Sequence, residues 1–85
     1  MWLHHLSAKH GVDPDDVLHA VESALVVADV GDDDSPQRTL VLGPDRMGNL
    51  LEVIVLYFDD GREMAIFAML MRTQYRTLLP RPSET

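Results

Sequence analysis

The sequence predicts an α+β fold: two N-terminal helices, a four-stranded antiparallel meander sheet and a short C-terminal helix. Three observations carry that expectation. Apolar residues recur at helical spacing over the first 25 positions, they run in strand-like blocks from there to residue 71, and turns rich in Gly, Pro and Asp separate the blocks.

Trp2, Leu3 and Leu6 lie at helical spacing, so residues 2–10 are expected to form a first short helix stopped by Gly11. The second helix has a better start. Asp13 suits the N-cap, Pro14 the first helical position, and Asp15 and Asp16 the positive end of the helix dipole. Val17, Ala20, Val21, Ala24 and Leu25 then form one apolar stripe. At 25–28 the β-branched residues predict a change to a strand ending near Val30, followed by a loop over 31–36. Residues 38–42 are read as a strand, 43–49 as a turn, 50–58 as a long strand, 62–71 as the last strand and 72–79 as a short helix ended by Pro80.

With 85 residues, 46% of them hydrophobic and 25% charged, the chain has room for one domain, taken as 1–79 with a flexible tail at 80–85. A domain of this size buries only about 60% of its unfolded surface, so a partner surface would add useful stability. The 14 acidic residues against seven Lys and Arg give a net charge of −7, which disfavours non-specific attraction to nucleic acid. The absence of Cys excludes disulfides, thiolate metal sites and a cysteine nucleophile. The start Met1-Trp2-Leu3-His4-His5-Leu6 lacks the basic region and apolar run of a secretory signal. The apolar stretch 50–58 is about half a membrane span. A cytoplasmic protein without membrane association is the expectation.

Asp60-Gly61 is a hairpin signal, because a two-residue type I′ turn needs positive φ at both central positions. That turn would pair Leu51 with Leu70, Val53 with Ala68, Val55 with Ile66 and Tyr57 with Met64 on one face. It would pair Glu52 with Met69, Ile54 with Phe67, Leu56 with Ala65 and Phe58 with Glu63 on the other. Both faces are apolar, whereas a sheet with one wet face alternates. Glu52, Ile54, Leu56, Phe67 and Met69 are therefore candidate partner-binding residues on a second face that short helices leave uncovered. Glu52 itself has two readings, a paired carboxylate or a partner contact.

His4, His5, His10 and His19 lack the spacing and attendant Glu of a helical zinc site, and Asp32-Asp33-Asp34 lacks the Gly and Glu of a calcium loop. No metal and no cofactor is expected. A small basic group remains: Lys9, His10, Arg72 and Arg76, with Tyr75 between the two arginines. Such a group could hold a scissile phosphate while His10 or Tyr75 moves protons. Arg72 and Arg76, spaced i, i+4, would share a helix face, where they could equally offset a helix C-terminus.

Lys9-His10-Gly11-Val12, followed by the acidic helix start Asp13-Pro14-Asp15-Asp16, resembles the corresponding stretch of BrnT-type toxins. The order of elements over about 8–78, Gly48-Asn49-Leu50-Leu51 and the last strand reaching Ala68 extend the resemblance. It implies a RelE-related fold and the toxin role in a type II toxin–antitoxin pair. By the same resemblance the activity would be a metal-independent endoribonuclease, with Lys9, His10, Arg72, Tyr75 and Arg76 as candidate catalytic residues. An antitoxin protein or a second copy would be its partner, and RNA its substrate. Met69 and Leu70 stand where that family carries basic residues, and the Trp-Asp strand that opens the family is reduced to Met1-Trp2. The alternative is a module of the same fold that has lost catalysis and acts through protein–protein contact or dimerisation.

Overall fold

The computed structural model describes residues 12–31 and 37–80, together with the backbone of 2–3. Its elements are β1 (Trp2–Leu3), α1 (Pro14–Glu22), β2 (Val26–Asp29), β3 (Gln37–Pro44), β4 (Leu50–Tyr57), β5 (Glu63–Leu70) and a 3-10 helix (Thr73–Leu78). The strands form one five-stranded sheet in the order β1-β5-β4-β3-β2. β2 to β5 are the expected antiparallel meander.

The first helix needs correction at its start. Trp2 and Leu3 form a strand parallel to β5, Trp2 beside Met64 and Leu3 beside Ala65. Extended backbone there satisfies outer N–H and C=O groups of β5 that would otherwise lie at a sheet edge. The rest of the expected 2–10 helix, with Lys9 and His10, lies outside the described residues.

α1 starts as its sequence dictates. The Asp13 carboxylate accepts from the Asp15 amide at 2.8 Å, and Pro14 occupies the first turn. The helix ends at Glu22, before the β-branched run becomes β2. Its apolar stripe, through Val17 and Ala20, packs on a core of Val41, Leu51, Val53, Val55, Ala65 and Ala68. Gly43 makes this approach close. A Cβ at that position would stand 2.1 Å from the Ala20 carbonyl oxygen.

Both main hairpins turn through three residues. In each, the third is a Gly in the left-handed region: Gly48 at φ 91° and Gly61 at φ 90°. The loop 59–61 closes with the Phe58 amide donating to the Arg62 carbonyl at 2.9 Å. The two-residue turn expected at Asp60-Gly61 is thus corrected, and pairing near the turn moves by one residue. Tyr57 faces Glu63, Leu56 faces Met64 and Val55 faces Ala65. An irregularity between Ile54 and Val55 leaves Ile66 as an extra residue in β5 and restores the expected register beyond it. Ile54 faces Phe67, Glu52 faces Met69 and Leu51 faces Leu70, as the sequence predicts.

The shift moves Ala65 onto the helix-covered face, where it is fully buried, and sends Met64 to the other. That other face carries Leu40, Leu42 and Glu52, all buried, beside Ile54, Leu56, Phe67 and Met69, which are half-buried. The expectation of a wholly uncovered second face is therefore corrected to a partly covered one. The chain leaving β5 turns back over it at Glu52.

Candidate functional site

The second face is organised by one ion pair. Glu52 lies in the middle of an apolar strand, its side chain only 1% exposed. Arg72 follows β5 directly, and the register places Met71 beside Leu50, its amide donating to the Leu50 carbonyl at 2.9 Å. Arg72 is thereby delivered to Glu52. Its backbone amide and Nε donate to Oε1 at 2.9 and 3.0 Å, and Nη2 donates to Oε2 at 2.9 Å. A buried carboxylate requires this degree of satisfaction. These bonds hold the Arg72 guanidinium above its ordinary pKa, the side-chain hydrogen bond to Glu52 first among the causes. Glu52 as a partner contact is corrected: it is a paired, interior carboxylate.

Tyr75 completes the cluster. The Arg72 guanidinium lies 5.5 Å from the centroid of the Tyr75 ring, and Nη2 is 3.4 Å from the phenol oxygen. Local geometry explains the contact. The segment Thr73–Leu78 is a 3-10 helix, in which residues three apart eclipse, so Arg72 neighbours Tyr75. The same geometry overturns the shared face expected for Arg72 and Arg76, since four-residue spacing no longer aligns them. Arg76 is exposed, in the last turn.

The Arg72 side chain is half exposed, at 50%. Its Nε and Nη2 are spent on Glu52, and among the described residues Nη1 makes no hydrogen bond. The result is a permanently charged, planar donor held rigidly beside a phenol and open to solvent. It can donate to an anionic oxygen and stabilise charge developing on it.

A second charged cluster ties α1 to the β3–β4 turn. Arg46 donates through Nε to Asp16 at 2.8 Å and lies 3.6 and 3.8 Å from the carboxylates of Asp13 and Asp15. Its side-chain hydrogen bond is the main reason the Asp16 carboxyl is held below its ordinary pKa. His19 bonds the Pro44 carbonyl through Nδ1 at 2.9 Å. These groups hold helix to sheet; no group of metal-ligating side chains gathers among the described residues.

Of the sequence-predicted site, the described residues bring Arg72 and Tyr75 together and leave Arg76 apart. Glu52 joins this cluster through the paired-carboxylate reading, as a single acid in an apolar strand whose cross-strand neighbour Met69 lies three residues before Arg72. No helix among the described residues is long and apolar enough to cross a membrane. No protein-family model, no curated protein and no solved structure matches the chain.

Proposed function

We propose that this chain is the toxin-like component of a cytoplasmic type II toxin–antitoxin pair and cleaves single-stranded RNA without a metal. The observation that carries the reading is the Arg72 guanidinium, fixed by buried Glu52 and presented beside the Tyr75 hydroxyl. The resemblance at Lys9-His10-Gly11-Val12 supports it.

In this reading Arg72, with Lys9, binds the non-bridging oxygens of a phosphodiester. The 2′-hydroxyl attacks the adjacent phosphorus and passes its proton to His10 or Tyr75. The P–O5′ bond breaks, and the departing oxygen takes a proton from the other group. The products are a 2′,3′-cyclic phosphate and a 5′-hydroxyl. Arg72 contributes most in the pentavalent transition state, where charge on the equatorial oxygens is greatest. Arg76 adds a positive charge nearby in sequence. The test is incubation of the purified chain with single-stranded RNA in excess chelator. The reading expects fragments with 5′-hydroxyl ends, lost in Tyr75→Phe. Intact RNA would contradict it.

A second reading, a non-catalytic interaction module of the same fold, is favoured by the neutralisation of Arg72 by Glu52 and by the net charge of −7. It would act through Ile54, Leu56, Phe67 and Met69, to an antitoxin or a second copy. Light scattering of the concentrated chain, with Phe67→Ala beside it, tests that reading. A dimer weakened by the substitution supports it, and a monomer at all concentrations excludes self-association.

A further inference from the structure

A second observation lies at the outer edge of the sheet, two strands from Glu52, and does not depend on the ribonuclease reading. β2 is the last strand on its side of the sheet. The Val30 amide donates to the Arg38 carbonyl at 3.1 Å, in register with Ala28 beside Leu40 and Val26 beside Leu42. Those even-numbered residues direct their N–H and C=O groups at β3. By antiparallel alternation, Val27 and Asp29 direct theirs outward.

Among the described residues, three of the six exposed large hydrophobics lie in this one segment: Leu25 at 50%, Val27 at 64% and Val30 at 48%. α1 packs over β3 and β4 and does not cover them. Within Val26–Asp29 there is no Pro, Lys or bulge, and its one charge is the acidic Asp29. Among the described residues, the charged groups along this stretch are exposed Glu22 and Asp29, Asp29 also accepting from the Gln37 side chain, with Arg38 on β3.

We propose that β2 accepts an extended, basic segment of another protein as a sixth strand. The outward groups of Val27 and Asp29 would supply ladder hydrogen bonds. Val27 would be covered by an apolar side chain of the guest, and lysines or arginines flanking it would meet Glu22 and Asp29. Charge decides between this guest and a second copy of the chain. Two copies would bring two charges of −7 and two sets of these acids to one seam, whereas a basic segment is drawn to it.

The test uses a fluorescently labelled heptapeptide alternating valine with lysine, and a control alternating valine with glutamate. Anisotropy should show saturable binding of the basic peptide to the full chain, weakening as salt is raised, and no binding of the acidic one. Amide exchange by NMR should show new protection at Val27 and Asp29 with little change at Ala28. Val27→Pro deletes the outward donor without removing a bond to β3, because an edge strand tolerates Pro where its N–H faces outward. It should weaken binding about tenfold or more, a loss of ~1.4 kcal/mol. Should that variant unfold, Val27→Lys repels the same peptide without altering the backbone and should give the same loss. Equal binding to either folded variant, equal binding of the acidic peptide, protection elsewhere, or self-association of the chain through β2 would each overturn the proposal.

Discussion

Glu52 and Arg72 meet edge to edge, with Nε and the backbone amide of Arg72 on one carboxylate oxygen and Nη2 on the other. The two partners are unequally placed. The carboxylate is interior, while half of the arginine side chain reaches water. Position therefore determines what each substitution does.

Losing Arg72 strands a buried charge, whereas losing Glu52 frees an arginine that solvent can satisfy. A buried ionised side chain without its partner costs roughly 3–5 kcal/mol. Glu52 is that side chain, so Arg72→Ala should lower the unfolding free energy more than Glu52→Gln does. The double change Glu52→Leu with Arg72→Met should restore most of the loss, since it leaves no buried charge. Urea denaturation of the three variants checks the order.

Gly43→Ala is expected to destabilise by about 1–3 kcal/mol or more, the range for overpacking. Its Cβ would lie 2.1 Å from the Ala20 carbonyl oxygen, a backbone atom of α1 that moves only if the helix lifts from β3. Thermal unfolding by circular dichroism measures the loss.

Gly61→Ala should cost ~1–2 kcal/mol, the penalty of a side chain in the left-handed region at φ 90°. Nothing lies within 4 Å of the added carbon, so the effect is conformational. A stability unchanged in urea would show that the loop 59–61 takes another turn.

Acid should weaken the tie between α1 and the β3–β4 turn. Asp16 is held below the ordinary 3.8, first by its side-chain hydrogen bond from Arg46. A lowered folded-state pKa means that the unfolded chain binds the proton more readily. The stabilisation is complete above the ordinary value and is lost as pH falls through the lower one. Asp60 shifts the same way, chiefly through the Arg62 backbone amide. Stability measured from pH 5 downward should fall less steeply in Arg46→Ala than in the parent chain, and high salt should narrow the difference.

The meander and α1 were legible because local rules and tertiary packing agree there. Asp13 and Pro14 mark the helix start, and the block 50–58 with its return marks a hairpin. The turn was misread because Asp60-Gly61 fits two loop types. Only the extra residue Ile66, whose cost and benefit depend on packing, restores the register at Ile54–Phe67. β1 was hidden because two residues carry no periodicity, and their extended state comes from pairing with Met64 and Ala65. The Arg72–Glu52 contact joins residues 20 apart. The spacing of Arg72 and Arg76 pointed instead to an α-helix that the chain does not form.

The most direct test of a toxin-like ribonuclease built on Arg72 is induced expression in a bacterial host. Growth and cellular RNA would be followed for the parent chain and for the Glu52→Leu, Arg72→Met double variant, which lacks the guanidinium and whose fold is checked by circular dichroism. The account predicts growth arrest and RNA fragments with 5′-hydroxyl ends for the parent chain, and normal growth with intact RNA for the variant. Normal growth and intact RNA with the folded parent chain abundant, or arrest and cleavage unchanged in the variant, would contradict it.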